Sequence, residues 1–277
     1  MNNLEFKNKN EKYGNTTISF IRCAIFAPTL KSVKNKDIIF ENAWGKLKIL
    51  KRYNKLTQMH INVLDAIMDN KAVIIKLPNG EIAVKFIPYA VLKMLGQEKN
   101  KNYKWLQQKL DDLISTVIEV ETKDNVTHEG ILHKARWSKT KILNFNTQNV
   151  GLKGNQEHFG YYYVIVFNAE FAKFFDIEIN LNYKKILPDI INIKSGILQA
   201  FVRFCISHNE LNMTLDDVLK NIRAFDGITE RQRQRIKKGI KYNIALLWDK
   251  FKIRIKENGI VMHDHNDIDG VYFLNTK

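Results

Sequence analysis

The chain has 277 residues, 45% of them hydrophobic, enough to bury one large core or two smaller ones. Its formal charge is +15, from 44 Lys+Arg against 29 Asp+Glu, which favours a nucleic-acid partner over an acidic protein or a membrane surface. No apolar run approaches the roughly 20 residues needed to cross a bilayer, and Cys23 and Cys205 stand alone, without metal or redox spacing.

The opening MNNLEFKNKNEKYG lacks the apolar segment of a signal peptide, so the expected location is the cytoplasm, with both thiols reduced. Residues 1–16 are Asn/Lys-rich and expected to be disordered. An apolar patch, ISFIRCAIFAPTLKS, follows and closes after Pro28. Strand-like IIFEN (38–42) and KLKIL (46–50) flank Gly45. Thr57 caps a predicted helix to about Asn70, with Ile61, Leu64, Ile67 and Met68 as its buried stripe. KAVIIKLPNGEIAVKF reads as a hairpin turning at Pro78-Asn79-Gly80. Pro88 then opens a short helix that Gly96 closes.

The spacing of Leu106, Leu110, Leu113 and Val117 predicts a helix over 101–116, with Lys104, Gln107 and Gln108 on its surface. Strands are expected at 117–122, 130–137, 141–145 and 161–167, the last two separated by the loop 147–160. Asn168 caps AEFAKFF, and a loop leads into one long apolar helix over 186–207. Thr214 starts a short helix. Thr229 caps a helix running to about Trp248, followed by KFKIRIKE, a turn at Asn258-Gly259, IVMH and GVYFL.

The stretch 229–254 concentrates the charge, with nine Lys+Arg and two acidic residues. Part of the overall lysine excess has a compositional origin, since Lys, Asn and Ile abound together as in an AT-rich coding sequence. Arginine is the better witness: of nine in the chain, three are Arg231, Arg233 and Arg235. On a helical wheel Ile236, Ile240, Ile244 and Leu247 share one side, and Arg231, Arg235, Lys238, Lys241 and Tyr242 fall opposite. A solvated helix would intersperse acids for i,i+4 pairing. Here they are nearly absent, so Arg231, Arg233, Arg235, Lys237, Lys238, Lys241 and Tyr242 are the leading DNA-contact candidates. Lys104, Gln107 and Gln108 on the earlier helix, with Lys134 and Arg136 on a strand after it, form a second set.

Two routes to chemistry are unsupported. His263-Asp264-His265 lacks the hydrophobic residue that separates the metal-binding histidines of a rolling-circle nicking enzyme, and HDHNDID reads as a polar turn. There is no GxxxxGK[ST] loop for ATP. No catalytic set, metal site or cofactor is expected.

Each half gives three helices followed by a β-hairpin, the winged-helix layout. The expected fold is α+β, with an N-terminal segment over 1–54 and two tandem winged-helix domains over 55–167 and 168–277. A winged-helix transcription repressor is the alternative, though it would usually need only one such unit plus a dimerisation or ligand domain.

Several phrases carry a family resemblance. IRCAIFAP (21–28), FIPYAVLKMLG (86–96) with YKWLQQKLDDLISTVIEVE (103–121), and FNAEFAKFF (167–175) resemble, in order and spacing, motifs of TrfA-type plasmid replication initiators. Ala169 departs from that pattern, which has proline there, and the similarity covers roughly 20–222. It implies tandem winged helices that bind repeated double-stranded origin sequences (iterons) and open adjacent AT-rich DNA. It also implies contacts with host initiator and replicative helicase, a monomer–dimer equilibrium, DNA contacts on the third helix of each half, and no intrinsic enzyme activity.

Overall fold

A computed structural model describes residues 13–28, 37–49, 56–98, 102–122, 126–127, 131–141, 159–177 and 180–274. It is a mixed α+β structure with small antiparallel sheets.

The N-terminal segment is woven into the rest. Tyr13, Asn15 and Thr16, expected in a disordered start, are buried, as is Thr17. β1 (Thr16–Thr17) pairs with β10 (Asn180–Asn182), which pairs in turn with β14 (Tyr272–Leu274). α1 (Ile18–Arg22) plants Phe20 among Phe171, Phe174 and Phe175, with ring centroids 5.7–5.8 Å apart. β2 (Ile38–Asn42) and β3 (Gly45–Ile49) continue onto β6 (Ile118–Thr122) and β7 (Val126–Thr127).

The first half begins with α2 (Gln58–Asp69), whose N-terminus is closed by a capping box between Thr57 and His60. The four predicted core residues are buried, but so are His60, Asn62 and Asp65, because α2 is enclosed on nearly all sides. The hairpin β4 (Lys71–Lys76) and β5 (Ile82–Phe86) turns at Gly80, whose φ of 87° favours glycine. Next come α3 (Pro88–Met94) and α4 (Tyr103–Ser115). β8 (Leu132–Lys141) runs past the strand expected over 130–137, since pairing with β9 (Phe159–Phe167) continues through Ser138–Thr140; of the strand expected over 141–145, residues 142–145 lie outside the described residues. The sheet order is β4-β5-β9-β8.

α5 (Ala169–Ile177) precedes β10, a strand where a loop was expected. The long helix predicted over 186–207 is two, α6 (Leu187–Asn192) and α7 (Gly196–Ile206). Ser195 starts α7 by accepting from the Leu198 amide at 3.3 Å, and the Gln199 side chain donates to the carbonyls of Ile191 and Ile193. A Cβ at Gly196 would run into the Pro28 carbonyl oxygen, which fixes this close entry.

The second half continues with β11 (Glu210–Thr214), a strand missed because its five residues abut the helix α8 (Leu215–Asn221) capped by Thr214. α9 (Glu230–Tyr242) and α10 (Ile244–Phe251) replace the single helix expected to Trp248. β12 (Arg254–Ile255) and β13 (Ile260–Asp264) form a hairpin through Asn258-Gly259, and the sheet order is β11-β13-β12. GVYFL does not join it, because β14 belongs to the β10 sheet.

With β4, β6 and β7 of the first half and α10 of the second set aside, the halves follow one path: a helix (α2; α7), a strand (β5; β11), two helices (α3, α4; α8, α9), then two strands (β8, β9; β12, β13). In each, the last strand lies between the other two. A single hydrophobic cluster runs through both. No helix among the described residues is long and apolar enough to cross a membrane.

Candidate nucleic-acid interface

α4 and α9 occupy the same place in the two halves, and each has 13 residues. At about 100° per residue, the second, sixth, ninth and thirteenth positions share one face. In α9 these are Arg231, Arg235, Lys238 and Tyr242, all exposed, with Tyr242 75% accessible. Among the described residues Arg231, Arg235 and Lys241 have no acidic partner, and Lys238 places its ammonium 5.6 Å from the centroid of the Tyr242 ring. The capping box between Thr229 and Gln232 fixes where the helix begins, and so where each side chain points.

Arg233 and Lys237 lie elsewhere. In α4 the fourth, eighth and eleventh positions are the buried Leu106, Leu110 and Leu113; in α9 they are Arg233, Lys237 and the buried Ile240. Arg233 stacks on Phe225, 5.2 Å from the ring centroid, and pairs with Glu230 at 3.7 Å. Lys237 is tied to Asp216 of α8 at 2.6 Å. Both have their charge already engaged, Lys237 half-buried and Arg233 at the exposed edge of the helix.

The predicted core stripe of this helix also changes. Ile240 and Leu247 are buried, but Ile244 is 41% exposed. The cause is Asn243, whose side chain donates to the Gly239 carbonyl at 2.7 Å and ends α9, so the wheel does not run on.

On α4 the equivalent outward stripe is Lys104, Gln108, Asp111 and Ser115, all exposed, with no net charge. Gln107 is on the flank and donates to Asp111 at 2.6 Å. Lys134 and Arg136 fall in β8, the strand that matches β12; their side chains lie outside the described residues.

The segment after α10 was not singled out from the sequence, although its alternation carries the signal. Ile253 is fully buried and Ile255 partly so, while Arg254 and Lys256 are exposed and Lys252, the cap of α10, is partly so. The Arg254 guanidinium sits 4.0 Å from the Trp248 ring centroid, and the Lys252 ammonium 5.0 Å from it.

The histidine-rich tail is built into the fold. His263 is buried on β13, and burial lowers its pKa to about 4. His265 packs edge-on against Phe273 at 4.6 Å, and Asp269 pairs with Lys185. Among the described residues no group of three or more His, Cys, Asp or Glu could hold a metal ion.

The arrangement can present unpaired cations to a polyanion from a rigid helix. Comparison of the chain with family models, with curated proteins and with solved structures finds no match in any of the three.

Proposed function

We propose that the protein is a plasmid replication initiator built from two tandem winged-helix units, which binds repeated double-stranded origin sequences and promotes opening of adjacent AT-rich DNA. One observation carries the reading. α9, the third helix of its unit, turns Arg231, Arg235 and Lys238 outward on one stripe, with Lys241 on its flank, and no carboxylate among the described residues answers Arg231, Arg235 or Lys241. Such a stripe suits phosphates and guanine edges in a major groove.

The repeated strand order supports the winged-helix assignment, because it sets a two-stranded hairpin beside each third helix. The α4 stripe, with Lys104, Gln108 and Asp111, has donors and acceptors for base edges but no net charge to draw phosphate. Affinity should therefore come mainly from the second unit, and the first should contribute discrimination. Contacts with host initiator and helicase, action in the cytoplasm and a monomer–dimer equilibrium belong to the same proposal. It includes no nicking and no ATP hydrolysis.

Gel shifts at about 150 mM salt, with plasmid origin DNA against a scrambled duplex, test it. The expected preference for origin DNA is about 10³-fold or more. Equal affinity for both would sink the reading. Permanganate reactivity of the AT-rich tract then separates an initiator from a repressor, since only the initiator should unpair it.

A further inference from the structure

We propose that Lys252, Arg254 and Lys256 form a second phosphate-binding row, and that Trp248 is the positioning residue that holds it. This rests on the reading of the protein as a DNA binder.

The local sequence explains the row. From Lys252 to Lys256 the chain alternates cation and isoleucine. Along β12 (Arg254–Ile255) that alternation turns Arg254 outward between Ile253 and Ile255, which face the core, with Lys252 before it and the exposed Lys256 after it. Lys252 has a φ of 53°, a left-handed cap that ends α10 and turns the chain straight into the strand. That abrupt turn brings residues 252 and 254 back over the half-buried Trp248 of the last turn of α10.

Arg254 then stacks on the indole at 4.0 Å and Lys252 approaches at 5.0 Å. A ring face restricts a long side chain without neutralising its charge, so the donors remain available while much of their rotamer freedom is already lost. No acidic side chain pairs with Lys252, Arg254 or Lys256 among the described residues. Their neighbours differ: Lys250 pairs with Asp189 at 3.4 Å, and Lys237 with Asp216.

The surroundings fix the direction of approach. Lys252 and Arg254 line an open cleft whose remaining walls include Glu210, Asp264 and Asp267. Arg254 is paired with Met262, while Glu210 faces Asp264 at the far end of the same sheet. A phosphate backbone is drawn to the β12 side and repelled from the Glu210–Asp264 end. Charge thus selects a track along the hairpin.

The test is a binding titration of the full chain over several salt concentrations, using a mixed-sequence duplex of about 30 bp, with folding checked by circular dichroism. Arg254→Gln/Lys256→Gln should lower the salt slope by about two units, since each lost phosphate contact removes about 0.9, and weaken binding some tens-fold at 0.1 M salt. Trp248→Leu should lower the slope while leaving all three cations in place, and Trp248→Phe, which keeps a ring, should restore it. A wild-type slope in the Arg254/Lys256 variant would overturn the row. A wild-type slope in a folded Trp248→Leu variant would overturn the positioning role. Arg235→Ala run alongside separates the two readings. If it weakens binding and the Arg254/Lys256 variant does not, only this inference fails. If the wild-type protein shows no salt-dependent duplex binding, both fail.

Discussion

Arg231 and Arg233 stand two positions apart, which on a helix means about 200° apart. One faces outward without an acidic partner; the other lies over Phe225 and pairs with Glu230. Their replacements should therefore separate. Arg235→Ala or Arg231→Ala, if the lost contact reads a base, should cost about 1–3 kcal/mol of DNA binding and relax preference at one base pair. Lys238→Ala should instead weaken all sequences and lower the salt slope by about one unit. Arg233→Ala should leave the slope unchanged and lower folding stability by about 0.5–1 kcal/mol, the scale of an exposed cation–π contact. Salt-dependent titrations and thermal melts on the same protein samples check all three, and a wild-type DNA profile for Arg235→Ala would remove α9 from the interface. The cluster itself was legible in the sequence, because three arginines in five residues need no fold to be noticed. Its division was not, because which side faces inward is set by Phe225 and Asp216, partners that precede the helix.

At the scale of elements, caps were legible and breaks were not. Thr57, Thr214 and Thr229 mark three helix starts, since a hydroxyl before a periodic apolar run has one local job. Asn243 and Ser195 interrupt helices whose apolar periodicity runs on, and only the contacts they make reveal it. The Thr57 cap also carries a pH prediction. His60 accepts the Thr57 amide at Nδ1, 3.0 Å, and Nε2 lies 3.0 Å from Asp112 of α4. Burial lowers the His60 pKa from its ordinary 6.5, and burial likewise takes His208 and His263 to about 4. A histidine lowered on folding stabilises the protein above its unfolded value near 6.5 and loses that contribution as pH falls below it. At pH 5 the loss should reach about 2 kcal/mol for each of His208 and His263. Melts at pH 7.5 and pH 5 should show a fall that His263→Gln reduces; a flat profile would mean these rings are charged in the fold. Ile240→Asp is the harsher case at this scale. It buries an unpaired charge in the core and should unfold the protein, seen as lost helical circular dichroism.

At the scale of the whole molecule, the order of the main helices was legible in outline because it depends only on sequential elements. The second half departs from it where 186–207 and 229–248 each break into two helices and β11 intervenes. The way the halves join was not legible, since it depends on polar residues that read as surface. α2 and α7, one helix from each half, meet along a buried seam. Gln58 lies beside Gly196, Asn62 bonds Gln199 at 3.2 Å, and Asp65 meets Arg203 at 2.8 Å, so the contacts advance together and the two helices run parallel. Arg203 also donates to Gln58 at 2.9 Å and Asn62 at 2.6 Å, and the Tyr183 hydroxyl donates to Asp65 at 2.7 Å. Burial pushes the Asp65 carboxyl up to about 6, against the pull of Arg203, so it is still anionic at neutral pH. A charge pair this deep contributes little beyond an apolar pair of the same shape, yet breaking it strands a buried ion. Arg203→Met should therefore cost about 3–5 kcal/mol at pH 7.5. Arg203→Met with Asp65→Asn should cost less than the two single changes added, by about 1–3 kcal/mol, because neither charge is left alone. Because the seam belongs to one continuous core, wild-type unfolding in urea should be a single transition seen alike by fluorescence and circular dichroism. The double-mutant cycle in urea decides the matter: strict additivity would mean that Arg203 and Asp65 are not coupled, and two separate transitions would mean that the halves stand independently.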